Sequence, residues 1–137
     1  MTTGAGTTAN TWAFVFSAWL IALAASLSAL FIGEVMGQTP CNLCWHQRAF
    51  MFPLAVILAV ASFRGDASVS RYGLPLAALG AAIAAFHSLL YARILPAAIE
   101  PCTQDGPSCS GVEMTVLGIL PLPYLSLAAF GSIALLL

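Results

Sequence analysis

Residues 39–63 read TPCNLCWHQRAFMFPLAVILAVASF. Cys41 and Cys44 stand two residues apart at the lip of an apolar run, and Arg48 stands just inside it. The run from Trp45 to Phe63 has the length that a helix needs to cross hydrocarbon, roughly 20 residues. Only Arg48 and Pro53 interrupt it, and Pro53 is expected to kink the helix because it lacks a backbone N–H. A thiol pair beside a permanent cation at a membrane edge is the feature around which the rest of the chain is read.

Composition agrees with a bilayer. Of 137 residues, 61% are hydrophobic and only 7% charged, with mean hydropathy +0.97. Soluble domains carry about 25% charged residues, so this chain lacks the means to cover a water-facing surface. It has no lysine; its basic residues are Arg48, Arg64, Arg71 and Arg93. No basic patch exists to bind nucleic acid. The length accommodates one domain of four spans at about 20 residues each.

Outward from the opening stretch, the chain alternates apolar runs with polar loops. Residues 1–11 are Gly/Thr-rich and uncharged, and read as a short disordered tail. Span one covers about 12–32; it is too long for a signal-peptide core and has no basic region before it. GEVMGQTPCNLC, residues 33–44, forms the first loop. Span two covers about 45–63, and RGDASVSR, residues 64–71, is a polar turn. Span three covers about 72–95 and stops at Pro96. Residues 96–114, PAAIEPCTQDGPSCSGVEM, form the second cysteine loop. The last run holds Pro121 and Pro123, which suit a helix start. Span four is therefore placed at about 121–137, with residues 115–120 in the interface. The spans must be helical because lipid offers no partner to free backbone groups. The expected fold is an all-α membrane protein, a four-transmembrane-helix bundle over residues 12–137.

Four spans put both cysteine loops on one face and RGDASVSR on the other. Arg64 and Arg71 favour the turn as cytoplasmic, and four cysteines on one face suit the disulfide-permissive side. Both cysteine loops are expected to be extracytoplasmic, and both termini cytoplasmic. Trp12, Trp19 and Trp45, with Tyr72, fit interfacial belts.

Cys44 opens span two, where a helix N-terminus favours a thiolate. Arg48 follows at i+4 on the same face, about 6 Å deeper. An arginine inside a span marks function by default; the bland alternative is a side chain reaching back to the headgroups. Cys102 and Cys109 flank TQDGPS, a composition that turns tightly and lets the two sulfurs meet. That pair reads either as a structural disulfide or as half of a thiol relay. His87 lies about 13 Å below the outer end of span three. It is either a hydrogen-bond partner for a neighbouring helix or a contact for a bound polar head group. His46 reads as an interfacial side chain.

Taken together, CNLCWHQRAF resembles the C-x-L-C-x-x-Q-R signature of the disulfide bond formation protein B (DsbB) family of inner-membrane quinone reductases. The second cysteine pair after span three, the histidine of FHSLLYARILP and the closing LPLPYLSLAAF also resemble that family. The resemblance implies a membrane thiol:quinone oxidoreductase supporting disulfide bond formation. It implies a separate DsbA-like, thioredoxin-fold thiol oxidase as partner, docking on the second cysteine loop and attacking a Cys102–Cys109 disulfide at Cys102. Electrons then pass to Cys41–Cys44, with Cys41 facing the second pair and Cys44 facing the quinone, whether ubiquinone or menaquinone. Cys44 is expected to form a charge-transfer or covalent adduct with the ring, with Arg48 stabilising the negative charge. The catalytic set is then Cys41, Cys44, Cys102, Cys109 and Arg48; the cofactor contacts are Cys44, Gln47, Arg48 and His87. No resident metal is expected.

The second pair is close-spaced, and its short loop resembles compact members of the family. Three other readings compete. A vitamin K epoxide reductase-like protein is also four-helical and quinone-linked, but the loop pair is expected before C-x-x-C there. A structural zinc site built from Cys41, Cys44, Cys102 and Cys109 has poor spacing here, and Arg48 disfavours a cation. A small membrane scaffold with inert disulfides is the third.

Overall fold

A computed structural model describes residues 4–99, 106–109, 111 and 114–137, with residues 4–9 and 97 described by backbone alone. Cys102 lies outside the described residues.

The apolar runs fold as helices, since each must close its own backbone hydrogen bonds. Helix α1 spans Gly4–Leu30 and continues as a π-turn over Phe31–Val35. Helix α2 spans Asn42–Arg64 and passes through Pro53. Helix α3 spans Ser70–Tyr91, and α4 spans Leu122–Leu136. Short 3-10 turns at Ala67–Val69 and Ala97–Ile99 precede and follow α3. Strands β1, Thr115–Val116, and β2, Leu120–Pro121, pair antiparallel ahead of α4. Among the described residues, three segments are long and apolar enough to cross a membrane: Asn10–Val35, Asn42–Arg64 and Ala67–Tyr91. The fourth, α4, is apolar but shorter.

The helices pack in ring order, α1 on α2 and α4, α3 on α2 and α4. Cross-links at opposite ends set their directions. Trp12 Nε1–H donates to the Ser62 carbonyl at 2.9 Å near one end, and Arg48 donates to the Ala29 carbonyl at 2.7 Å near the other, so α1 and α2 run antiparallel. Helix contacts rest on small residues. Ala18, Ala22, Ala77 and Ala84 are buried between helices, and Gly80 faces the buried ring of Phe130 so closely that a β-carbon there would overlap it. Small side chains let backbones approach where no hydrophobic drive separates helix from lipid. Many large apolar residues point outward instead: Val56, Val60, Phe63, Leu79 and Leu135 are exposed, as a surface facing hydrocarbon allows.

Several boundaries differ from the sequence expectation. The helix reaches back to Gly4, through most of the 1–11 segment read as a disordered tail. Nothing there breaks a helix already nucleated by the span, and each added residue gains one hydrogen bond. Helix α3 ends at Tyr91, not Leu95. Arg93 takes a left-handed φ of 57°, and the Ile94 and Arg93 N–H groups donate to the carbonyls of Leu89 and Leu90. That pairing closes the helix as a Schellman motif, normally a glycine position. Residues 115–121, expected as plain interface and the start of span four, form the β-hairpin, whose turn holds Leu117 and Gly118 at φ 55° and 72°. Trp19, read as interfacial, packs edge-on against Phe63 in an aromatic row with Trp12 and Phe16. At the opposite turn, Asp66 accepts from the Ser68 N–H and Tyr72 hydroxyl. The Ser68 donors hold its carboxyl below the usual carboxylate range.

Candidate functional site

Pro40 leads into α2, and Cys41 is its N-cap in extended conformation. A cap side chain accepts from the amides of the first turn. Here the acceptor is sulfur: the Cys44 N–H donates to Cys41 Sγ at 3.4 Å, and Cys44 Sγ lies 3.1 Å away. Both cysteines are free thiols; Cys41 is buried and Cys44 half-buried. The hydrogen bond from the Cys44 thiol holds the Cys41 thiol well below the usual thiol range, against the opposing effect of burial, and His87 adds to the lowering. The sequence reading puts the anion on Cys44, at the start of the span. The structure gives the capping position to Cys41, because helix amides converge on the residue before the first turn and not on the third within it.

Three residues beyond Cys44, Gln47 points into the bundle and is buried. Its amide donates to His87 Nδ1 at 2.9 Å. The ring hydrogen then resides on Nε2, which donates to the Cys109 carbonyl at 3.0 Å and lies 3.9 Å from Cys41 Sγ. His87 is fully buried. Cys109 is disulfide-bonded and shares a buried cluster with Cys41, Leu43, Leu90 and Met114. One imidazole thus ties α2, α3 and the second cysteine loop together.

Arg48, read in sequence as a functional cation or as a side chain reaching back to the headgroups, is half-buried. Its guanidinium crosses to α1, donates to the Ala29 carbonyl, stacks over Trp45 at 5.6 Å and covers Gly33. A β-carbon at Gly33 would stand 3.0 Å from Arg48 Nη2. The guanidinium retains further N–H donors beyond the one used.

Three spaces meet these residues. A cavity of about 90 Å³ is lined by Cys44, Gln47, Arg48, His87, Met51 and Phe130. A second of about 360 Å³ lies toward the loops, against Gln38, Thr39, Cys44, Arg48 and Met114. A groove of about 780 Å³ between α1 and α4, walled by Leu27, Phe31 and Leu125, shares Ala25, Ala29, Ile32, Leu122 and Ser126 with the small cavity. The small cavity is thus lined both by N–H donors, Gln47 and Arg48, and by residues it has in common with the apolar groove.

The structure thus assembles Cys41, Cys44, Gln47, Arg48, His87 and Cys109 within one end of the bundle. His46 is exposed, its Nδ1 2.7 Å from the Asn42 carbonyl, away from this cluster. Two site residues are not legible in the sequence. Met114 brings its sulfur to 4.0 Å from Cys44 Sγ, and Gly33 makes room for the guanidinium. Met114 is an apolar residue closing a polar loop, and Gly33 one of 11 glycines, so neither carries a motif.

The chain as a whole has relatives. The family model described as "Disulfide bond formation protein DsbB" matches residues 9–137. The chain belongs to the DsbB family. A "Probable disulfide formation protein" of Metapseudomonas resinovorans is 61% identical over 93% of this chain and 88% of its own length. "Disulfide bond formation protein C" of Bacillus subtilis is 40% identical over 88% of this chain and 87% of its own. A "Probable disulfide formation protein" of Deinococcus radiodurans is 43% identical over 90% and 85%. No solved structure matches the chain. As a DsbB-family protein the chain is a membrane oxidoreductase with a role in disulfide bond formation.

Proposed function

We propose that this DsbB-family chain is a thiol:quinone oxidoreductase that reoxidises an extracytoplasmic thioredoxin-fold thiol oxidase. It crosses the membrane four times, with both termini cytoplasmic and the cysteine loops outside. The observation that carries the reading is the two-sidedness of the first pair. Cys41 and Cys109 share one buried cluster, while Cys44 lines a cavity that has five lining residues in common with the apolar α1–α4 groove. Thiol exchange needs a neighbouring sulfur, and electron delivery to a lipid-soluble acceptor needs a route to lipid.

A thiolate of the reduced partner attacks Cys102 of a Cys102–Cys109 disulfide, forming a mixed disulfide and releasing the Cys109 thiolate. The partner's second thiolate then displaces Cys102 and the partner leaves oxidised. Cys109 attacks Cys41 of the Cys41–Cys44 disulfide and releases the Cys44 thiolate. Cys102 attacks Cys109, which restores the loop disulfide and releases the Cys41 thiolate. Two electrons and two protons have moved from the partner to the first pair. The Cys41 leaving group is the sulfur that the α2 amide and His87 stabilise. A stabilised thiolate makes its disulfide the stronger oxidant.

Ubiquinone or menaquinone, when bound, accepts the two electrons and two protons and leaves as quinol. The residues present fit such a group: the small cavity has the Arg48 guanidinium and Gln47 at its polar end, and the groove takes an apolar tail. Arg48 holds a positive charge against the acceptor oxygen, a preorganised contribution in a water-poor site. Gln47 and His87 orient the ring.

The test uses the reduced protein in lipid with added ubiquinone or menaquinone. Wild type reduces the quinone; Cys44→Ser abolishes this, whereas Cys102→Ser blocks entry of electrons from the partner and leaves quinone reduction by the preformed dithiol intact. Turnover of both variants with partner and quinone would remove the relay.

A further inference from the structure

Met114 has no task in the relay, yet its thioether completes a set of four soft or borderline donors. Cys41 Sγ, Cys44 Sγ and His87 Nε2 lie within 4.8 Å of one another. Cys41 Sγ is 3.1 Å from Cys44 Sγ and 3.9 Å from His87 Nε2, and Met114 Sδ is 4.0 Å from Cys44 Sγ. We infer that the reduced pair, with His87 and Met114, forms a capture site for monovalent copper that locks the protein in its dithiol state.

Geometry, softness and charge agree on that ion. Bonds of about 2.3 Å to sulfur and 2.0–2.1 Å to nitrogen set tetrahedral ligand atoms roughly 3.5–3.8 Å apart. The Cys44–Met114 and Cys41–His87 distances already lie near that edge, and the two thiolates need to open by less than about 1 Å. Thiolate and thioether ligands select Cu(I). Two thiolates, one monovalent ion and the Arg48 guanidinium beside the pair sum to zero charge. A divalent ion such as zinc leaves one net positive charge in a largely dry site, which is costly. Arg48 therefore counts against zinc and not against copper(I). The cavity lined by Cys44 and Met114 supplies an entry path from the loop side.

Binding transfers no electrons: copper stays monovalent and the sulfurs stay reduced. The Cys44 thiol proton leaves to solvent, and Cys41 enters already as a thiolate. The His87 proton moves from Nε2 to Nδ1, where Gln47 accepts it after turning its amide, and the Cys109 carbonyl loses its donor. Capture thus withholds Cys41 and Cys44 from disulfide formation and loosens the second loop. The binding itself does not depend on the proposed quinone reaction; only the inhibition does.

The test is an anaerobic titration of the full-length, reduced protein in lipid with Cu(I), against a coloured Cu(I) chelator. One ion per chain binds, with a thiolate-to-copper band in the ultraviolet. Cys44→Ser abolishes the band. Met114→Leu, which keeps the apolar volume, and His87→Asn each weaken binding ~10-fold or more, as loss of supporting ligands does, while both thiols still react with an alkylating probe. Wild-type affinity in both variants would reduce the site to an ordinary C-x-x-C chelate and overturn the inference, as would failure of wild type to compete with the chelator. Copper binding with these variant effects but no quinone reduction by metal-free protein would leave the capture site standing and remove the quinone reading alone.

Discussion

Cys41 is where residue-level chemistry departs most from a free thiol. As the N-cap of α2 it receives the Cys44 thiol and amide, and His87 stands behind it. An acid whose pKa is lowered keeps its anion as pH falls past the ordinary thiol value of ~8.5. The thiolate absorbance of the reduced protein is therefore expected to persist through neutral pH and to be lost only in acid, with a midpoint well below the free-thiol value. His87→Ala raises that midpoint and Cys41→Ser removes the titration; a midpoint near that of free cysteine would refute the cap arrangement. A second residue-level expectation concerns Gly33. A β-carbon there meets only the far end of Arg48, so Gly33→Val leaves the fold intact and displaces the guanidinium. Quinone KM rises, as in Arg48→Ala, while thiol exchange at the second loop is unchanged. Steady-state kinetics with each substrate varied separate the two, and an unaltered quinone KM would show that the guanidinium's placement is immaterial.

At the scale of elements, the close approach of α3 and α4 is built on the Gly80–Phe130 contact. Gly80→Val forces the ring or the helix aside, and overpacking of this kind costs roughly 1–3 kcal/mol. The thermal midpoint in detergent should fall accordingly, and the double variant with Phe130→Ala should lose less than the two single losses summed. Strict additivity would mean that the helices do not meet there. The ends of these elements are the least legible part of the chain. Pro121 and Pro123 signal the start of α4, which begins at Leu122. The end of α3 carries no such signal, because no glycine or proline marks it: Arg93 adopts the left-handed conformation itself, and backbone hydrogen bonding beyond Tyr91 decides the stop.

For the whole molecule, ring packing of the helices gathers the described parts of the cysteine apparatus at one end. The Arg64–Arg71 turn lies at the other. With the proposed orientation, a membrane-impermeant thiol probe added to intact cells after reduction labels Cys102 or Cys109, and a cysteine introduced at the turn by Ser68→Cys is labelled only in inverted vesicles. The reverse pattern would invert the topology. The α4 helix of 15 residues is about 22 Å long, against ~30 Å of hydrocarbon. The apolar hairpin before it, with Leu117 and Ile119 exposed, extends that apolar segment toward the loop side.

The sequence alone determined that the chain is a helical membrane protein, that its cysteines come in two pairs, and that Arg48 and His87 are out of place in lipid unless they have partners. Each of these follows from composition and local spacing, because burying a charge or an unpaired backbone group in hydrocarbon is costly wherever the helix sits. Which partners they take was decided only by the tertiary structure. The Ala29 carbonyl, the Cys109 carbonyl and the Met114 sulfur come from segments 19, 22 and 70 residues away from their counterparts, and no local periodicity records such encounters. The same holds for the charge on the first pair: Cys41 is the α2 cap and Cys44 lies in the first turn, and only the folded backbone, with His87 set behind it, tells which sulfur receives the amide.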